Sequence, residues 1–131
     1  MSDQPNRAVP GAPYRVLVVE DETVVSFLVE DMLLDIGCRE VVHAADIGNA
    51  LRLTDSGIDF AVLDVNLGRE NVYPVAERLT ARGIPFLFAT GYGRAGLEPA
   101  WRDRPVIQKP FRRELLAEAM QVALQRAHRT A

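Results

Sequence analysis

The sequence predicts an α/β fold in which helices cover both faces of a parallel sheet. Three observations carry this. Short runs rich in β-branched residues alternate with stretches of helical period from residue 14 onward. Most of those runs are apolar on both sides of the pleat, as strands covered on two faces must be. The chain has 131 residues, of which 48% are hydrophobic, enough for one core and too few for two domains of ordinary size.

Residues 1–13 carry three prolines, a glycine and almost no bulky apolar side chain. They are expected to form a flexible tail ahead of a domain spanning 14–128. RVLVVE is the first strand. From Thr23 to Ile36 the period changes: Val25, Leu28, Val29, Met32, Leu33 and Ile36 recur at three- and four-residue steps, and Gly37 stands at the C-cap position. REVVHAA is the second strand, followed by a helix over about 47–54; DFAVLDV is the third, followed by a helix over about 72–82. Pro74 is tolerated in the first turn of that helix. IPFLFAT and PVIQ make the fourth and fifth strands, and an Ala/Leu-rich helix closes the chain over about 112–127. Between those last two strands Gly91, Gly93, Gly96 and Pro99 break any helical period, so a helix there is expected to be short or absent.

The formal net charge of −3 and the scattered arginines argue against a surface built to neutralise a phosphate backbone, so no direct nucleic-acid partner is expected. Cys38 is the only cysteine, and with His43 and His128 it supplies neither a disulfide nor a zinc ligand set. No apolar run approaches the roughly 20 residues of a membrane span, and the N-terminus lacks a secretory h-region. A cytoplasmic protein without a membrane partner is the expectation. Fourteen of the fifteen basic residues are arginine; Lys109 is the only lysine.

In an open parallel sheet ligands bind beyond the carboxyl ends of the strands, where strand order reverses. Here the first strand ends in Glu20-Asp21, the third in Asp64, the fourth in Thr90 and the fifth in Lys109. All five side chains therefore come from one edge. Three carboxylates so gathered repel one another unless a cation neutralises them, and oxygen ligands suit Mg²⁺, with Mn²⁺ as the alternative. Such a site fits a phosphoryl group, with a carboxylate as acceptor and a hydroxyl and an ammonium on its oxygens. Asp64, central among them, is the natural nucleophile.

Taken in order, these residues resemble the receiver domain of two-component response regulators, the CheY-like fold, over about residues 14–127. The resemblance implies a doubly wound five-stranded sheet of order 2-1-3-4-5. It makes Asp64 in VLDVNL the phosphoacceptor, Asp21 a direct metal ligand, and Glu20 a ligand acting through water. It gives Asn66 a backbone carbonyl toward the metal, Thr90 the phosphoryl-binding hydroxyl, and Lys109 in QKPF the lysine that pairs with Asp64. PFLFATGYG is similar to a single-domain subgroup marked by Phe-Ala-Thr-Gly-aromatic, in which a loop replaces the fourth helix. Most of the family carries an aromatic switch residue three positions before the lysine, but that position here is Val106, which leaves Tyr92 as a substitute reporter or cover.

The implied activity is acceptance of a phosphoryl group from a sensor histidine kinase or histidine phosphotransfer protein, not turnover of a substrate. Output passes to a downstream protein, or the chain acts as a phosphate sink; only about RTA follows the last helix, so a stand-alone receiver without an output domain is expected, and a monomer or weak dimer is the expected state. On the first helix Val24, Phe27, Asp31 and Leu34 share a face distinct from the core stripe, making Phe27 a candidate for kinase docking. Singly, each residue has a plainer reading: Glu20 and Asp21 as helix caps, Asn66 as a turn residue, Thr90 as a β-former, Phe27 as part of a wide buried face. His43 reads as structural, His128 as a solvated helix end, Cys38 as a small buried or turn residue, and Trp101 as an anchor of the loop to the core, with contact to a partner as the alternative. The rival function is a receiver-like binding module that is never phosphorylated. An aspartate-based phosphatase would place its nucleophile just after the first strand, where EDETV stands, and a flavodoxin-like phosphate loop would need Ser, Thr or Gly there.

Overall fold

The computed structural model describes residues 14–130, with side chains as far as Ala127. The segment 1–13 and the His128 side chain lie outside the described residues. The elements follow as β1 (Arg15–Val19), α1 (Thr23–Ile36), β2 (Glu40–Ala44), α2 (Ile47–Leu53), β3 (Phe60–Asp64), β4 (Asn66–Leu67), β5 (Glu70–Asn71), α3 (Tyr73–Ala81), β6 (Phe86–Thr90), β7 (Val106–Gln108) and α4 (Arg113–Thr130). Five strands pair in parallel in the order β2-β1-β3-β6-β7. Counted within that sheet this is 2-1-3-4-5, the expected order. Its reversal falls between β1 and β3.

Alternate residues of each strand serve opposite cores. Leu17, Val19, Leu63 and Phe88 pack with α2 and α3 residues such as Ala50, Val75 and Leu79. Val16, Val18, Val62 and Leu87 meet Val29 and Leu33 of α1 and Leu116 and Met120 of α4. Both sets are apolar because neither face meets water. β3 and β6 are buried along their whole length, which holds the ends carrying Asp64 and Thr90 in a rigid frame.

Helix α1 ends at Gly37, whose φ of 122° and amide bonds to Leu33 and Leu34 carbonyls stop the helix where the sequence placed the cap. One member of the expected core stripe is corrected: Leu28 is 53% exposed. At about 100° per residue it lies at the margin of the arc centred on Val25, Val29, Met32 and Ile36, on the side of Val24 and Asp31. Between β6 and β7 stand two 3₁₀ turns, Gly93–Gly96 and Pro99–Trp101, in place of a full helix. Trp101 ties this segment to the core: its ring stacks on Tyr73 at 5.9 Å and 13° and meets Phe88 edge-on at 5.8 Å. The Arg104 guanidinium lies over the Trp101 ring, 5.1 Å from its centroid.

The hairpin β4–β5 is an element that the hydrophobic period does not predict. Asn66 pairs with Asn71 and Leu67 with Glu70 around a two-residue Gly68-Arg69 turn, with Gly68 at a φ of 63°. Glycine at the first central position is the signature of such a turn, and NLGREN carries it between the third strand and the helix that follows. His43 is structural, as expected: it bonds Ser26, and its Nε2 donates to Glu30 Oε1 at 2.8 Å, bridging β2 to α1. Cys38 is buried, and burial pushes its thiol up to about 11.

Candidate functional site

The carboxyl ends of β1 and β3 bring Glu20, Asp21 and Asp64 together, with a carboxylate oxygen from each lying within 4.8 Å of the others. Glu20 and Asp64 are buried and Asp21 is exposed. Glu20 is tied to the sheet by its amide, which donates to the Ala44 carbonyl at 3.0 Å. The cap of α1 is Glu22, which makes no side-chain cap bond, so neither Glu20 nor Asp21 is there as the helix cap. Lys109 enters from the opposite side, its amide donating to the Thr90 carbonyl at 2.8 Å. Its Nζ stands 3.2 Å from Glu20 Oε1 and 3.5 Å from Asp64 Oδ1. The expected Asp64 pairing is present, but Glu20 is the closer partner, a contact the sequence did not reveal because 89 residues separate the two.

The charges are unbalanced. Burial and then the Asp64 carboxylate raise the Glu20 pKa to about 7, against the pull of the Glu22 amide and Lys109. Burial also raises Asp64, opposed by Lys109, by hydrogen bonding with Glu20 and by the Asn66 amide. Burial pulls the Lys109 pKa down, yet Asp64 and Glu20 override it and the pKa rises. Three carboxylates against one ammonium leave negative charge that a hard divalent cation would neutralise, and the all-oxygen donor set fits Mg²⁺.

The hairpin borders this cluster. A Cβ on Gly68 would lie 3.8 Å from Asp21 Oδ2, and Glu70 accepts the Ile47 amide at 3.2 Å, joining the hairpin to the start of α2. Asn66, the proposed carbonyl donor, opens the hairpin two residues after Asp64. Thr90 is 1% exposed, and its Oγ1 accepts the Tyr92 amide at 3.2 Å. Tyr92 is 74% exposed, so its ring does not cover the site here. Gln108 Nε2 donates to the Gly91 carbonyl at 3.2 Å, and the Glu98 amide donates to Tyr73 Oη at 2.8 Å; these two latches hold the β6–β7 segment, and sequence reasoning assigned neither. Val24, Phe27 and Leu34 are exposed on α1, with Phe27 at 57% and its ring edge-on to His43 at 5.8 Å.

No family model matches this chain. The solution structure of SdrG from Sphingomonas melonis Fr1 is 44% identical, with a TM-score of 0.76, covering 86% of this chain and 97% of that one. The same fold recurs in chains described as signal receiver and CheY-like response regulator receiver domains. This chain belongs to the CheY-like response regulator receiver domains. As a receiver domain it also resembles that of the sensor histidine kinase PA1611 from Pseudomonas aeruginosa PAO1, at 25% identity and a TM-score of 0.71 over 87% of this chain and 99% of that one. That structure holds a magnesium ion in its active site cleft. Transcriptional regulatory protein PdtaR of Mycobacterium tuberculosis is 28% identical over 119 residues, 87% of this receiver domain. The chain spans under two thirds of the length of the curated relatives it matches, 58% in the case of PdtaR. Among the described residues no helix is long and apolar enough to cross a membrane.

Proposed function

We propose that this receiver domain accepts a phosphoryl group on Asp64 from the phosphohistidine of a sensor kinase or phosphotransfer protein. The observation that carries the reading is the meeting of Glu20, Asp21 and Asp64 with Lys109 Nζ at the sheet's reversal point. An Asp64 carboxylate oxygen forms the new bond to phosphorus as the phosphorus–nitrogen bond of the donor breaks, the electron pair staying on the imidazole. Water later hydrolyses the acyl phosphate. Mg²⁺, or Mn²⁺, would be held by Asp21 and Asp64 with the Asn66 carbonyl, and by Glu20 through water; when bound it offsets phosphoryl charge. Lys109 exchanges its Asp64 contact for a phosphoryl oxygen, and the Thr90 hydroxyl takes another.

The Phe-Ala-Thr-Gly-aromatic motif and the two 3₁₀ turns support placement in the single-domain subgroup. Output is then a conformational change read by a protein partner in the cytoplasm, or removal of phosphate from a competing regulator, by a monomer or weak dimer. Tyr92, exposed two residues past Thr90, reports the change. The exposed face around Phe27 docks the phosphodonor.

Incubation with candidate kinases in Mg²⁺ tests both points. Wild type becomes labelled, Asp64→Asn does not, and Phe27→Ala is labelled normally by acetyl phosphate but at least several-fold more slowly by the kinase. Label on Asp64→Asn overturns the acceptor assignment; a wild type that no phosphodonor labels favours the binding-module reading; equal kinase rates for Phe27→Ala overturn the docking face.

A further inference from the structure

The Thr90 hydroxyl already has a hydrogen-bond partner within the protein. Oγ1 lies on the loop side of the sheet edge, accepting the Tyr92 amide at 3.2 Å. The other side of this seat is formed by a glycine whose backbone does not need to be one. Gly96 does not take the positive φ that Gly37, Gly57, Gly68, Gly83 and Gly93 take. What Gly96 lacks is room: a Cβ there would stand 2.5 Å from Thr90 Oγ1, 3.4 Å from Thr90 Cγ2 and 3.1 Å from Tyr92 Cβ. The first distance is a direct overlap. Thr90 has one side-chain torsion and sits in the fully buried β6, so the overlap is relieved either by the hydroxyl leaving its present rotamer or by a shift of the Gly93–Gly96 turn.

We propose that Gly96 is a positioning residue for phosphoryl binding: its missing side chain creates the seat that holds the Thr90 hydroxyl on the loop side, in competition with the phosphoryl group. This rests on the reading of Thr90 as the phosphoryl-binding hydroxyl. A ligand that needs the other rotamer binds with an affinity reduced by the fraction of molecules already in it. If about nine tenths of molecules occupy the seat, closing it tightens binding about tenfold. The same seat explains how a chain with Val106 in the usual aromatic position can still couple its loop to the site. Leaving the seat releases the Tyr92 amide, and with it the start of the segment that Gln108 and Tyr73 hold further along.

The test is beryllofluoride binding in Mg²⁺, followed by NMR, on wild type, Gly96→Ala, Thr90→Ala and the double variant. Gly96→Ala is expected to bind several-fold more tightly than wild type while its Mg²⁺ affinity is unchanged, and to have no effect on binding in the Thr90→Ala background. In wild type the Tyr92 amide should exchange faster once beryllofluoride is bound. Unchanged or weaker binding by folded Gly96→Ala, or an equal effect without Thr90, overturns the seat. Should Gly96→Ala fail to fold, the wild-type amide decides, and unchanged Tyr92 exchange overturns the proposal. If wild type binds no beryllofluoride, the phosphoryl reading itself fails, and the seat with it.

Discussion

The acidic half of the site, at the ends of β1 and β3, differs in construction from the hydroxyl half at the end of β6. In the first, charges are held close against their own repulsion by strands buried on both faces, with Lys109 as the cross-link. In the second, a neutral hydroxyl is held by one amide, beside a segment fixed by single bonds from Gln108 and Tyr73 and by the Trp101 stack. A surplus of charge makes the first half respond to ions and protons. Weak contacts hold the second, which under the proposed reading responds by moving. The lesson is that one site can separate binding chemistry from its relay by giving each a different kind of cohesion.

The largest effect that could break this comparison comes from Lys109→Arg. If the compact ammonium is what bridges Glu20 and Asp64, the wider planar guanidinium should leave the fold intact and cut phosphorylation or its structural consequence by at least an order of magnitude. Near-normal beryllofluoride-induced NMR shifts in this variant would show that the cross-link needs only charge.

Proton dependence is next. The raised Glu20 pKa means that between about 4.5 and about 7 the folded state holds the proton more firmly than the unfolded chain does. Metal-free stability should therefore be greatest below that window, fall as pH rises through it and level off above about 7; Asp64, also raised, adds the same sign. Mg²⁺ competes with that proton, so its affinity should weaken as pH falls below about 7, by up to about tenfold per unit, and Glu20→Gln should flatten the profile. Thermal melts and Mg²⁺ titrations from pH 5 to 8 check this. A flat profile would mean that the buried charges are already compensated.

The smallest effect belongs to the loop half. Tyr73→Phe removes the acceptor of the Glu98 amide but keeps the ring stack, and should cost about 0.5 to 1.5 kcal/mol, with Mg²⁺ affinity untouched. A change in Mg²⁺ affinity as large as that of Glu20→Gln would mean that the two halves are not separate.

Much of this was readable beforehand where a residue's role follows from near neighbours. The strands, the Gly37 stop, the interrupted segment after Thr90 and the convergence of Glu20, Asp21, Asp64, Thr90 and Lys109 on one edge all follow from local period and parallel strand direction. The errors lie where neighbours alone do not decide. Leu28 satisfied the helical spacing but fell outside the arc that the sheet covers, and the hairpin after Asp64 is too short to show a period.

By itself, then, the sequence determined which side chains reach the carboxyl edge, because strand polarity and side-chain alternation are local properties propagated through a parallel sheet. Only the tertiary structure decided which of them touch. That Lys109 sits nearer Glu20 than Asp64, that Tyr73 anchors a loop 25 residues away, and that Gly96 leaves just enough space for the Thr90 hydroxyl depend on packing between segments distant in the chain. Distances of a few tenths of an ångström separate contact from overlap there, and no residue pattern encodes them.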